Sequence, residues 1–291
     1  MARQPRFHFP GALFHVMARG NGGQKLFLDD SHYEEFIKIV GLVKKDLPFD
    51  LFAFCLMPNH IHLLIRVEQV PISIIMQRIL LRYAKYFNYR HRRWGHVFQR
   101  RFKAILCEQE RYLLTLLQYI HLNPVRAKLV KDPAQWPWSG HRQYLGRPDG
   151  GSLCDIRIPL STLAGDDIIR AQRRYARLIR AGIKDGHRDD LYPLKEFPCL
   201  GSDAFKAVFE NRRLLGRIAP GQVSLGELAS QLGTTLASDH PELLFTRRHA
   251  ASPIKREFVL RARQAGHRSV RIAEFLNCTP SAVTRIAEHR P

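Results

Sequence analysis

No stretch of this 291-residue sequence approaches the ~18–20 consecutive apolar residues of a membrane span, so a membrane partner is not expected. The opening MARQPRFHFPGALFHV is basic but has neither a continuous apolar run nor a small-residue cleavage site, which argues against secretion. Cysteine is scarce and scattered. The five (Cys55, Cys107, Cys154, Cys199, Cys278) form no C-x-x-C pair, which excludes a disulfide framework and a cysteine-based zinc site. No repeat of 20–50 residues, low-complexity tract or phosphate-binding P-loop is present, so no nucleotide cofactor is expected. These absences leave a folded protein of a reducing compartment, expected in the cytoplasm with the nucleoid.

Acid is what the sequence lacks most. Asp plus Glu number 26 against 46 Lys plus Arg, a formal charge of +20. With 45% apolar and only 25% charged residues, this is not a disordered basic tail. Such an excess goes beyond what solubility needs and favours nucleic acid as partner over an anionic membrane or an acidic protein. Both halves share it: residues 1–150 carry 23 basic and 11 acidic residues, and residues 151–291 carry 23 and 15.

Hydrophobic patterning divides the chain into 1–147, a connecting stretch 148–202 with a basic helix at Asp166–Ala181, and a helical part 203–291. The breaks fall at the Pro- and Gly-rich Gly146–Arg157 and at Tyr192–Asp203. In the first part, strand-like runs at Ala12–Arg19, Leu51–Met57, His60–Val67 and Arg101–Cys107 alternate with helical ones. The first helix is predicted from a cap at Asp30 or Ser31 through Lys45, with Phe36, Ile37, Val40 and Val43 on its apolar side. Two more are predicted over Ile72–Arg90 and Glu108–Leu122, the last stopped by Asn123-Pro124. Pro58-Asn59 reads as a hairpin turn. The order β-α-β-β-α-β predicts an α+β, ferredoxin-like split βαβ domain with an antiparallel sheet, followed by an all-α domain.

Three constellations carry chemistry. In Pro58-Asn59-His60-Ile61-His62-Leu63, alternation along a strand puts His60 and His62 on one face, where two imidazoles can share a divalent cation. A single strand histidine, by contrast, is ordinarily just a satisfied polar residue. In Tyr112-x6-Tyr119-x3-Asn123, helical spacing sets Tyr119 beside Asn123. On spacing alone a packed tyrosine and a helix stop are the plainer reading; these two residue types also suit a phenolate nucleophile and an oxygen ligand. His121 points elsewhere and reads as structural. The third is Arg82–Lys103, with eight basic residues, no acidic one, and interleaved Tyr83, Tyr86, Phe87, Tyr89, Trp94 and Phe98. Cations neutralise phosphates and exposed aromatics stack on unpaired bases, which suits single-stranded or hairpin nucleic acid; the plain alternative is a solvated loop over a core helix.

PNHIHLL resembles the histidine-hydrophobe-histidine signature of HUH nucleases. Together with FHFPGALFHVMARGN, FAFCLMPNHIHLLI, RYAKYFNYRHRRWGHVFQRRFKAIL, YLLTLLQYIHLNPVRAKLV and WPWSGHRQYLG, it resembles the REP-associated tyrosine transposases, relatives of the single-strand insertion-sequence transposases. The resemblance spans about Arg3–Gly146. It implies an HUH catalytic domain in which His60, His62 and Asn123 bind Mg²⁺ or Mn²⁺. It also implies that Tyr119 attacks a scissile phosphate to give a 5′-phosphotyrosine and a free 3′-hydroxyl, with Tyr112 as fallback nucleophile. The substrate implied is a hairpin-forming repeat cut in nearby single strand. From the basic stretch itself, Arg82, Arg90, Arg92, Arg93, Arg100, Arg101 and Lys103 are the expected DNA contacts. Insertion-sequence relatives carry Gln where this chain has Asn123, and Arg100 stands where relatives often have a small or acidic residue.

Ser269–Arg290 has helix-turn-helix form. Ile272, Ala273 and Leu276 pack the first helix, Asn277 takes a left-handed turn, and Cys278, Val283 and Ile286 pack the second. Ser281, Thr284, Arg285 and His289 would face a duplex groove, with Arg247, Arg248, Arg261 and Arg263 nearby in sequence. Leu225–Leu232, Pro241–Phe245 and Pro253–Ala265 complete what resembles the helical domain of replication initiators; a bundle that merely packs is the alternative. The function expected is DNA transposition through metal-dependent cleavage and strand transfer. A catalytically silent repressor or architectural protein, or an RNA-hairpin processor, are the competing readings.

Overall fold

The computed structural model describes residues 8–147, 152–185, 188–191, 199–208, 225–226, 229, 252–264, 267 and 269–288. By compactness the chain divides into Met1–Lys206 and Ala207–Pro291. The segment read as a connection, 148–202, thus belongs to the first unit where it is described.

The first unit is built on strands β1 (Leu13–Arg19), β2 (Phe49–Met57), β3 (His60–Val67) and β4 (Lys103–Cys107), with helices α1 (Asp30–Asp46) and α2 (Ile72–Arg90) between them. The order β2-β3-β1-β4 is antiparallel at every pairing, the split βαβ arrangement expected. A fifth strand, β5 (Cys199–Leu200), adds in parallel to the edge of β4. The sequence gives no sign of it, because two residues carry no period and only the open edge of β4 selects them. Glu108 fixes this junction: its N–H donates to Leu200 O (2.8 Å), and its carboxylate accepts from Ser202 N (2.6 Å) and Ser202 Oγ (3.1 Å). Glu108 therefore precedes helix α3 (Gln109–His121) rather than opening it.

Alternation sorts the sheet into two faces. Phe54, Leu56 and Leu63 look toward Phe36, Ile37 and Val40 of α1. Tyr83 of α2 meets Phe36 edge-on and donates its hydroxyl to Leu26 O (2.6 Å). The opposite face carries His15 of β1 and His62 of β3, both in ring contact with Tyr119 of α3. Asp29, not Asp30 or Ser31, stands at the N-cap of α1. Its carboxylate accepts from Ser31 Oγ (2.5 Å) and His32 Nδ1 (2.8 Å), and these bonds hold it well below the usual carboxylate range, at about 2.

After α3 come two single turns, α4 (Asn123–Arg126) and α5 (His141–Tyr144), and then a hairpin of α6 (Arg157–Ala164) and α7 (Ile168–Ala181). Asp167 caps α7 by accepting from Arg170 N (2.9 Å). The second unit, taken by itself, holds α8 (Ser252–Gln264), α9 (Ser269–Phe275) and α10 (Pro280–Glu288). Phe258, Val259, Ala262, Ile272, Ala273, Leu276 and Val283 form its core. Asn277 has φ +50°, the left-handed turn expected of it, and the Cys278 N–H closes that turn on Ala273 O (2.9 Å). Pro241–Phe245, Arg247, Arg248 and His289, and most of Leu225–Leu232, lie outside the described residues. Among those described, no helix is long and apolar enough to cross a membrane.

Candidate active site

The site grows from the turn between β2 and β3. Pro58 O accepts from Leu26 N (2.7 Å) and Phe27 N (3.2 Å), and Asn59 O accepts from Gly20 N (2.9 Å), so the loop after β1 clamps the turn. Gly20 is required there, because a Cβ would lie 2.2 Å from the Gln24 carbonyl oxygen. β3 then starts with its first two odd positions on one face. His60 stands opposite Arg19 and Met57, and His62 opposite Met17 and Cys55. Their rings lie 5.0 Å apart between centroids.

Each of the two histidines has its Nδ1 engaged. His60 Nδ1 donates to Asn59 Oδ1 (2.7 Å), and His62 Nδ1 shares a hydrogen bond with His15 Nε2 (3.0 Å). Nε2 is therefore the remaining ligating nitrogen on each ring. Burial, aided by Arg19, pushes His60 down to about 4. Burial, with His15 and His60, holds His62 well below the usual imidazole range, and burial with Lys103 takes His15 to about 3. All three imidazoles are neutral near pH 7, the form that offers a lone pair to a cation.

Tyr119 closes the site from α3, buried, with its ring edge-on to His62 (6.1 Å) and to His15 (6.0 Å). Arg126 donates to Tyr119 O (2.9 Å) and sets its guanidinium over the Tyr119 ring at 4.9 Å, a fixed positive charge against the phenol. Asn123 turns its Nδ2 back to Tyr119 O (2.9 Å) and Ile120 O (3.3 Å), which leaves Oδ1 as its acceptor. Tyr112 is half-buried and makes no ring contact with these histidines among the described residues. No three His, Cys, Asp or Glu side chains converge as a metal-holding group among the described residues. Two neutral Nε2 atoms on one sheet face nevertheless fit a divalent cation whose remaining ligands are oxygens.

Beside the histidines lies the basic loop after α2. Gly20 bridges Phe98, Gln99 N donates to Arg19 O (2.9 Å), and Asn21 N donates to Val97 O (2.9 Å). This anchors the loop at the end of β1 where Arg19 faces His60. Arg90, Arg92, Arg93, Arg100, Arg101 and Lys103 are exposed. Arg82 differs, because Asp46 of α1 pairs with it at 3.1 Å. The interleaved aromatics also divide. Tyr89 and Trp94 are 89% and 93% exposed, whereas Tyr83 and Phe87 are buried and belong to the core. Ser281, Thr284 and Arg285 are exposed on α10, and Thr284 Oγ1 accepts from Arg263 Nη2 at 3.4 Å.

His15, Asn59 and Arg126 were not among the expected site residues. The first two orient the histidine pair, and Arg126 braces Tyr119. His121, read as structural, is so: it and His141 both direct Nδ1 to the Tyr175 hydroxyl of α7, at 2.8 and 2.6 Å. One hydroxyl donates to one ring and accepts from the other. Burial holds His121 well below the ordinary range and takes His141 to about 4. Protons are then taken up by the unfolded chain below pH ~6.5 while the native rings stay neutral, so these two groups lower stability by up to about 3 kcal/mol per pH unit toward pH 5. Tyr175→Phe strands two buried ring nitrogens and is expected to cost about 2–4 kcal/mol, read by urea unfolding at pH 7.

Residues 10–123, within the first unit, match the family profile described as "Transposase IS200 like". Among curated proteins, the chain is 29% identical over 149 residues to one from Haemophilus influenzae named "Putative REP-associated tyrosine transposase", covering 46% of this chain and 84% of that protein. Among solved structures it is similar to a REP-associated tyrosine transposase bound to a REP hairpin, at 22% identity and a TM-score of 0.43, over 54% of this chain and 93% of the other.

Proposed function

We propose that the protein is a metal-dependent single-strand DNA endonuclease and strand transferase acting on hairpin-forming repeats, with Tyr119 as nucleophile. The observation that carries this reading is the Tyr119 ring set against both His15 and His62 within the residues that match the transposase profile. His60 and His62, with Asn123 Oδ1, would hold Mg²⁺ or Mn²⁺. When bound, the cation polarises a phosphate oxygen and offsets charge in the transition state.

The chain's own residues do the rest. The Tyr119 phenol oxygen gives up its proton as it attacks the scissile phosphorus, a phosphate ester to Tyr119 forms, and the bond to the 3′ oxygen breaks, that oxygen taking up a proton to leave a free 3′-hydroxyl. The 3′-hydroxyl of another strand reverses these exchanges and rejoins DNA without a nucleotide cofactor. Arg126 and the packing of α3 fix the phenol, while Arg90, Arg92, Arg93, Arg100, Arg101 and Lys103 bind the backbone and Tyr89 and Trp94 stack on unpaired bases. Arg82, neutralised by Asp46, contributes less. In the second unit, Ser281, Thr284 and Arg285 on α10 read duplex DNA.

The test is cleavage of an end-labelled single strand bearing a hairpin. With Mg²⁺ or Mn²⁺ the reading expects a 5′ fragment released with a free 3′-hydroxyl and a 3′ fragment linked to the protein through its 5′ phosphate, both abolished by EDTA. Tight binding with no cleavage under either metal would instead establish a silent DNA-binding relative. Equal cutting of ribose and deoxyribose strands would favour an RNA processor.

A further inference from the structure

Helix α7 lies beyond residues 10–123, the part that matches the transposase family. From Ile168 to Lys184 the sequence has six cations and no carboxylate. Arg170, Arg173, Arg174, Arg177 and Arg180 are all exposed, and at 100° per residue they fall within one stripe about a third of the helix circumference wide. None of the five is ion-paired among the described residues; Arg174 donates to Leu163 O. The opposite face is apolar and buried through Ala171, Tyr175 and Ile179.

That buried face grips the helix carrying Tyr119. The Tyr175 hydroxyl meets His121, and the Leu178 carbonyl accepts from Gln118 Nε2 (2.5 Å), so α7 holds α3 on both sides of the nucleophile. Solubility alone does not call for cations confined to one stripe of one helix, while the helix's other side is spent on the catalytic helix. Arg170 to Arg180 spans about 15 Å at the helical rise. At about 3.4 Å of axis per phosphate in one strand, that length faces about four phosphates.

We infer that the arginine stripe of α7 is a second DNA-backbone surface of the first unit, binding phosphates of the same hairpin substrate. The inference rests on the proposed reading of DNA as substrate. Arginine here acts through charge and bidentate phosphate contacts, without reading sequence. α7 is therefore an affinity element that is also bonded to the nucleophile's helix.

The test replaces Arg170, Arg173, Arg177 and Arg180 together by Gln in the full chain, with the matching Lys variant as control. Binding of a hairpin oligonucleotide with single-stranded flanks is measured across salt concentrations. The Gln variant is expected to bind about 10-fold or more weaker near 0.15 M salt and to lose about 3 from the slope of log K against log salt. The Lys variant is expected to keep both, because a point charge still neutralises a phosphate. Unchanged affinity and slope in the Gln variant, with wild type binding and cutting DNA, overturn this surface alone. A wild type that binds no DNA overturns the functional reading with it. If the Gln variant instead loses only binding to phosphatidylserine-containing vesicles, the stripe serves an anionic membrane and the inference fails. Unchanged urea unfolding in both variants separates lost contacts from lost structure.

Discussion

Replacing His62 by alanine is expected to slow hairpin-strand cleavage by about 10²-fold or more, the size of effect seen when one pre-organised stabiliser of transition-state charge is removed. His62 is the better anchored of the two histidines. It is buried, its Nδ1 is tied to His15 across strands, and Tyr119 lies against its ring. The substitution also removes the hydrogen-bond partner of His15 Nε2 and opens space under α3, so some loss of stability accompanies it. His60→Ala separates the two effects, because His60 is half-buried at the mouth of the turn and its partner Asn59 stays solvated. Single-turnover cleavage should fall comparably in both variants, while hairpin affinity stays within about 3-fold, since neither ring is among the phosphate-binding cations. EDTA on wild type should reproduce the loss, with recovery on adding Mg²⁺ or Mn²⁺. Full cleavage by His60→Ala and His62→Ala would remove the histidines from the chemistry.

Tyr119→Phe has the larger effect and the cleaner structural control. It deletes one oxygen and keeps the ring that packs on His15, His62 and the Arg126 guanidinium. No covalent DNA adduct is expected, and cleavage should drop below detection, because no other tyrosine ring contacts the histidine pair among the described residues. Binding should remain within about 2-fold of wild type, since the backbone contacts proposed above lie on the basic loop and α7. Retained adduct would move the nucleophile to Tyr112, a position seven residues earlier with no ring contact to the histidines among the described residues.

The local parts of this account were readable in the sequence. Pro58-Asn59 forces a turn, and period-two alternation puts His60 and His62 on one face. Asn277 is placed by its tolerance of positive φ. What depends on register between distant strands was not readable. His15 looks like any polar residue in an apolar strand until β1 and β3 pair across 47 residues and bring it to His62. Tyr83 and Phe87 stand one helical turn apart among arginines, a pattern that serves stacking or core equally. The packing of α1 against α2 decides it for the core. Asp46 neutralising Arg82 and Cys199–Leu200 pairing with β4 likewise join segments that sequence spacing does not relate. The grip of α7 on α3 belongs to this group too, since the basic stripe is plain in the sequence while its attachment to the helix of Tyr119 is not.

The most direct test of the central claim is the chemical identity of the protein–DNA link. Wild-type protein is incubated with a hairpin-bearing single strand and Mg²⁺ or Mn²⁺, digested with protease and nuclease, and the nucleotide-modified peptide is sequenced by mass spectrometry. The account predicts a 5′-phosphate ester on Tyr119. A modification on Tyr112 or any other residue, or efficient cleavage with no adduct at all, would contradict it.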